Sequence, residues 1–138
     1  MIRTRPATTA DAPAVLDLWA EAGLVATVTD DVNAVERLIG RDGDALIVAV
    51  DDGNVVGAVI GGWDGWRGAI HRLAVAPSHR RRGLGTRLLE EAVSSLERRG
   101  AVRMACVVVA DDLDGRRFWE STEFSAQDNR VRYVHPPG

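Results

Sequence analysis

The sequence predicts an α/β fold, with a mixed sheet of about six or seven strands flanked by about four helices. Three observations predict it. Two nearly continuous apolar runs, Ala45 to Val50 and Val102 to Ala110, read as buried strands. Strand-like runs alternate with stretches whose apolar residues recur at helical spacing. Between residues 69 and 100 the chain reads strand, proline turn, basic glycine loop and amphipathic helix.

The elements follow in order. Ile2 to Arg5 alternates and predicts an edge strand. Thr8, Thr9 or Asp11 can cap the first helix, and Pro13, tolerated only in a first turn, favours Asp11 or Thr9. Val15, Leu16, Leu18, Trp19 and Ala22 form its inward stripe and Gly23 stops it. Leu24 to Thr29 reads as a loop. Asp30 or Asp31 then caps a second helix, with Val32, Val35, Leu38 and Ile39 inward, and Gly40 to Asp44 breaks it. After the Ala45 to Val50 strand, Asp52-Gly53 signals a hairpin to Asn54 to Gly62. Trp63 to Gly68 is a glycine-rich connection with two tryptophans.

Ala69 to Val75 is the central strand, followed by Pro77 and a helix with Leu84, Leu88, Leu89, Ala92, Val93 and Leu96 on one face. Gly100 ends that helix. Then come the Val102 to Ala110 strand and a short helix over Leu113 to Ser121, with Leu113, Phe118 and Trp119 turned inward. A last hairpin joins Phe124 to Gln127 with Arg130 to His135 through Asp128-Asn129. Pro136 to Gly138 is a frayed tail. With no repeat or linker, residues 1–138 read as a single domain large enough for a proper core.

Composition narrows the function classes. The formal charge of −3 argues against general adhesion to nucleic acid or membranes, despite the three arginines at 80–82. No apolar run reaches membrane-spanning length, and the start lacks a signal-peptide pattern. The single Cys106 has no internal disulfide partner, which suits a reducing cytoplasm, and inside an apolar strand it reads as inert core. His79 and His135 have no carboxylate or thiol at ligand spacing, so no metal site is expected. Asp30 and Asp31 read as helix caps only.

The loop Arg80-Arg81-Arg82-Gly83-Leu84-Gly85-Thr86 carries the clearest chemistry. The first N–H groups of a helix lack internal partners and sit at the positive end of its dipole. Glycines at 83 and 85 let an anion approach that backbone, and arginines add donors suited to phosphate. A pyrophosphate is the natural guest. The loop is no P-loop, lacking Gly-Lys-Ser/Thr, and no dinucleotide fingerprint, lacking Gly-x-Gly-x-x-Gly.

With its strand, the loop resembles the central motif of the GCN5-related N-acetyltransferases. That motif is Arg/Gln-x-x-Gly-x-Gly/Ala after a strand ending Leu-x-Val-x-Pro, here Leu73-Ala74-Val75-Ala76-Pro77 and Arg80-x-x-Gly83-x-Gly85. Gly61-Gly62-Trp63-Asp64-Gly65-Trp66-Arg67-Gly68 resembles a segment of a poorly characterised bacterial branch of the family. The resemblance covers essentially all residues. It implies a mostly antiparallel sheet in which two parallel central strands splay apart, with acetyl-CoA entering the gap as co-substrate.

It further implies that residues 80–86 hold the CoA pyrophosphate and that main-chain atoms of Leu73, Ala74 and Val75 bind the pantetheine as a pseudo-strand. The Val75 N–H would polarise the thioester carbonyl. Asp112 and Trp119 would add contacts to acetyl-CoA, although Asp112 replaces the usual asparagine and Trp119 the usual tyrosine acid. Glu123 replaces the glycine usual before Phe124. His71, two residues before Leu73, stands by two-residue alternation on the face of Leu73 and Val75 and is the candidate base. The alternative is a partly buried, hydrogen-bonded strand histidine. Trp63, Asp64, Trp66 and Arg67 read as an acceptor wall or a dimer contact. The expected activity is acetyl transfer to a primary amine of a small molecule or peptide by direct attack. The alternative is an acyl-CoA-binding module without transferase activity. Nucleic acid and membrane are not expected partners, and a homodimer is common among relatives.

Overall fold

The alternating start of the chain, Ile2–Pro6, is β1 and lies at the sheet edge, antiparallel to β2 (Leu46–Asp51). The computed structural model describes residues 1–137, and the chain divides into two units, Met1–Cys106 and Val107–Gly138. Gly138, the end of the expected tail, lies outside the described residues.

In the first unit a 3₁₀ turn, Thr9–Asp11, leads into α1 (Ala12–Glu21), with Pro13 in its first turn. Asp11 accepts the Thr8 N–H at 2.7 Å and is gripped by Arg5 through two bonds of 2.7 and 3.0 Å. Ala12, Val15, Leu18 and Trp19 are buried, whereas Leu16 and Ala22 are half-buried. In α2 (Val32–Arg41) the cap is Asp31, which accepts the Ala34 N–H at 2.7 Å. Val35 and Ile39 are buried, but Val32, expected inward, is exposed because it starts the first turn beside the loop.

β2 and β3 (Asn54–Trp63) form the expected hairpin, with Asp52 and Gly53 both at positive φ. A tight turn then returns the chain as β4 (Gly68–Val75), antiparallel to β3. Trp63 and Gly68 therefore belong to the ladder and pair with each other. A 3₁₀ turn, Pro77–His79, leads to α3 (Leu84–Arg99). Leu84, Leu88, Leu89, Ala92 and Leu96 are buried as expected, Val93 is half-buried, and Ser95 is buried although polar. The helix lies close on β3 because Gly57 has no side chain there: a Cβ would come within 2.8 Å of Leu88 Cδ1.

β4 is not a regular strand. His71 pairs with Ile60 and Ala74 with Ala58, so three steps of β4 match two of β3. The extra residue makes a bulge, and within it Arg72 has φ +51°. Ile70 pairs with Gly61 and Val75 with Gly57, on the face that α3 covers. His71 and Ala74 pair with Ile60 and Ala58 on the other face. His71 therefore does not share a face with Val75, and the expectation from simple alternation is corrected by the bulge.

β5 (Met104–Cys106) runs parallel to β4 and pairs only with Gly68, Ala69 and Ile70. The sheet thus has five strands in the order β1-β2-β3-β4-β5, not six or seven. The expected strand from Val102 to Ala110 is cut to three residues, and Val102, Val107 and Val109 are exposed. Pairing stops at Ile70 because the β4 bulge begins within two residues and bends the strand away.

The second unit holds α4 (Leu113–Glu120), capped by Asp112, which accepts the Gly115 N–H at 2.9 Å. Phe118 and Trp119 are half-buried, but Leu113 is exposed at the helix start, against expectation. The expected final hairpin is absent among the described residues. The turn at Asp128-Asn129 forms, with Arg130 N–H donating to the Gln127 carbonyl at 3.4 Å, but no ladder flanks it. Val131 and Tyr133 are exposed, and a two-stranded ribbon with no apolar face to bury is not stable by itself.

Candidate active site

The first turn of α3 is set by Gly83, whose φ of +77° is open to glycine and strained for other residues. Gly83 accepts the first helical bond from Arg87 N–H at 3.0 Å. The N–H groups of Leu84, Gly85 and Thr86 precede that bond and have no acceptor inside the helix. Leu84 is buried and roots the turn in the core. Arg80, Arg81 and Arg82 are exposed, and Arg81 has φ +63°. The side chains of Arg81 and Arg82 make no hydrogen bond or ion pair among the described residues. Arg80 is committed: its Nε donates to the Val75 carbonyl and its Nη2 to the Ala22 carbonyl, each at 3.2 Å. A Cβ on Gly83 would meet nothing within 4 Å, so the space over the turn is open. Orphan N–H groups, a helix dipole and two free guanidinium groups fit a pyrophosphate.

The turn before the loop is pinned from behind. His79 Nε2 and Asp51 Oδ2 are 2.7 Å apart, and His79 Nδ1 is 2.7 Å from Ser78 Oγ. The His79 bond, with the nearby chain amino group, holds the Asp51 carboxyl below its usual range.

Leu73, Ala74 and Val75 end β4 beyond its parallel pairing. Ala76 N–H donates to the Val56 carbonyl at 2.8 Å. Alternation along an antiparallel strand then turns the N–H and C=O of Val75 away from β3, toward the open edge. The Val75 carbonyl accepts from Arg80 on that side.

His71 is exposed rather than partly buried, and a Cβ on Gly62 would lie 3.9 Å from its ring. Cys106 closes β5 opposite Ile70 and is half-buried, so it is not core as expected. Burial pushes its thiol pKa up, away from the reactive thiolate. In the β3–β4 turn Asp64 accepts the N–H groups of Trp66 and Arg67, each at 2.7 Å, and these donors hold its carboxyl low. Trp66 is exposed under the Arg67 guanidinium at 4.1 Å, and Trp63 is half-buried. In the second unit Asp112 is engaged as the α4 cap. Trp119 stands edge-on between Phe118 and Phe124, with ring centres 5.4 and 5.0 Å away.

Sequence reasoning missed three residues. Arg72, inside the central strand, pairs with Asp30, which is therefore an ion-pair partner and not the helix cap, a role that falls to Asp31. Arg99 joins Asp42, the Gly61 carbonyl and Ser95, tying α3 to the sheet. Ser95 is buried because it takes part in that knot. A charged residue within an apolar strand was the available signal for Arg72. Nothing marked Arg99, one basic residue among several at a helix end.

Residues 12–124 match the acetyltransferase (GNAT) family. An acetyltransferase of Sodalis glossinidius (strain morsitans) is 33% identical over 115 residues, covering 83% of this chain and 81% of that protein. One from Pectobacterium atrosepticum is 32% identical over 118 residues, covering 86% and 84%. Among solved structures, the PaiA N-acetyltransferase of Thermoplasma acidophilum in complex with coenzyme A has the same fold. Its TM-score is 0.84 over 94% of this chain and 93% of that one, at 16% identity. The order of elements, the glycine turn opening α3 and these matches agree: the chain belongs to the GNAT acetyltransferase family, as an N-acetyltransferase that uses acetyl-CoA as co-substrate.

Proposed function

We propose that residues 80–86 bind the pyrophosphate of acetyl-CoA and that the Leu73-Ala74-Val75 end of β4, whose Val75 N–H and C=O face outward, receives its pantetheine arm. The observation that carries this reading is a strand end with an outward Val75 N–H, joined across the turn of residues 76–83 to a helix whose first N–H groups, on Leu84, Gly85 and Thr86, have no acceptor inside the helix. Acetyl-CoA supplies an activated thioester. The chain supplies the donors: the α3 N-terminus with Arg81 and Arg82 for the phosphates, and the Val75 N–H for the thioester oxygen. Arg80 contributes by shaping the loop. Asp112 and Trp119 are further contacts proposed on the family resemblance.

The acceptor is a primary amine on a small molecule or peptide, whose nitrogen attacks the thioester carbonyl directly; the C–N bond forms as the C–S bond breaks, and CoA leaves as its thiolate. The exposed imidazole of His71 takes its proton, since an alkylamine is mostly protonated at neutral pH. Cys106 forms no acyl-enzyme, because burial raises its pKa and no base is paired with it. Residues 1–138 act as one acetyltransferase domain, a reading supported by the family match running across residue 106. A cytoplasmic homodimer completes the proposal. No helix among the described residues is long and apolar enough to cross a membrane.

Calorimetry with Gly85→Val tests the loop. Binding of acetyl-CoA should be lost in a folded protein, because a branched side chain at the second helical position blocks approach to the N–H groups. Unchanged affinity would overturn the assignment. A thiol-release assay over a panel of amines then identifies the acceptor class.

A further inference from the structure

Two arginines bracket the edge formed by Leu73, Ala74 and Val75, and both reach back to the same neighbour. Before the edge, Arg72 Nη2 donates to the Val25 carbonyl at 3.0 Å and to the Asp30 carboxylate at 2.6 Å. The pair is largely shielded, with side chains 20% and 9% exposed. The Arg72 guanidinium also stands 5.6 Å from the ring centre of Trp19, which is buried in α1. Asp30 is fixed in turn by the Thr27 N–H at 3.1 Å. After the edge, Arg80 bonds the carbonyls of Val75 and Ala22. Ala22 closes α1, and Val25 and Asp30 belong to the segment that follows it.

What these bonds hold is the bulge. A residue with a Cβ at φ +51° is disfavoured and persists only where its surroundings over-determine it. The Val25 carbonyl, the Thr27 hydroxyl, the Asp30 carboxylate and the Trp19 ring do that for Arg72. The bulge matters because it shifts the register of everything after it. In a regular β4, each residue beyond 72 would exchange its face and its hydrogen-bonding edge. The N–H of Val75 would then point at β3 instead of the open edge.

We infer that Arg72 and Asp30, with Arg80 closing the far side, are positioning residues that hold the β4 bulge and thereby aim the Val75 N–H, a role that rests on the Val75 reading proposed above. None of the three side chains needs to touch the reacting atoms. The same bonds tie the segment 24–31 to the strand edge, so order in that segment and alignment of Val75 are coupled.

The test follows the Val75 amide resonance of the isotope-labelled full chain during titration with CoA and with acetyl-CoA. Wild type, Arg72→Ala and Asp30→Asn are compared, with calorimetry on each. In wild type the amide should move further with acetyl-CoA than with CoA, reporting the bond to the thioester oxygen. That difference should vanish in Arg72→Ala and fall by about half or more in Asp30→Asn, while affinity for acetyl-CoA falls less than about fivefold because the α3 turn is untouched. Amide exchange at residues 27–30 should speed by about tenfold in both variants. If Arg72→Ala fails to fold, Asp30→Asn decides, since it alters no strand residue. An acetyl-specific shift that survives in the folded variants overturns the clamp alone. Its absence in wild type overturns the Val75 reading, and the clamp with it.

Discussion

Replacing Gly83 with alanine separates the fold from the site. The residue has φ +77°, and an added Cβ would meet no atom within 4 Å, so the variant suffers no internal clash. Its only cost to the fold is the left-handed conformation, about 1–2 kcal/mol for a residue with a Cβ. Gly53, in the β2–β3 hairpin, offers a matched control: φ is +81° and its Cβ would also meet nothing within 4 Å. Gly53→Ala should therefore destabilise the protein by a similar amount. The two should differ in ligand binding. On the proposed pyrophosphate site, the methyl group at Gly83 would stand in the path of phosphate oxygens to the N–H groups of Leu84, Gly85 and Thr86. Loss of one or two charge-assisted bonds of about 1.5–3 kcal/mol each weakens acetyl-CoA binding by at least about tenfold. Thermal melts give the stability of both variants, and calorimetry gives their affinities. Equal affinities in Gly83→Ala and Gly53→Ala, at equal stability, would refute the placement of the pyrophosphate.

Three further outcomes are expected. His71→Ala should reduce turnover by about 10- to 10⁴-fold if the imidazole takes the proton directly, and only a few-fold if a water chain does so. In wild type the rate should rise between about pH 6 and 8 without a later fall, because Trp119 offers no phenol that must stay protonated, and an unchanged pH–rate profile in the variant would remove His71 from the mechanism. Cys106→Ala should leave turnover within about threefold, since the raised pKa of a half-buried thiol suits no nucleophile; mass spectrometry after incubation with acetyl-CoA should show no acetylated cysteine. Asp11→Asn should destabilise the protein at neutral pH but not in strong acid. The Arg5 fork and the Thr8 N–H hold the Asp11 carboxyl low. Stability from such a depressed group is present above the unfolded pKa of about 4 and is lost as pH falls through the lower folded value. Melts that differ equally at pH 7 and near pH 2 would contradict that account.

Most of the first unit was legible because local signals there agree. Asp52-Gly53 makes the expected turn, Leu88 and Leu96 mark the buried face of α3, and Gly83 and Gly85 open the helix beyond Pro77. Each expectation rests on a period or a turn chemistry confined to a few residues. The bulge was not legible. Ile70, Arg72 and Ala74 look like ordinary alternation, and an inserted residue leaves no mark when the flanking side chains are apolar on both faces. Simple alternation therefore puts His71 on the wrong face. Val102 to Ala110 failed for a related reason: valines show that a strand is compatible, but ladder length is set by the partner, and β4 turns away after Ile70. The pairs made by Arg72 with Asp30 and by Arg99 with Asp42 join residues 42 and 57 positions apart, beyond any local pattern.

The most direct measurement is a crystal structure of the protein grown with acetyl-CoA. The pyrophosphate should lie on the N–H groups of Leu84, Gly85 and Thr86, with Arg81 and Arg82 turned toward it. The thioester oxygen should lie within about 3 Å of the Val75 nitrogen, an ordinary hydrogen-bond distance. A pyrophosphate bound away from the α3 turn, or a thioester oxygen facing away from β4, would contradict the account.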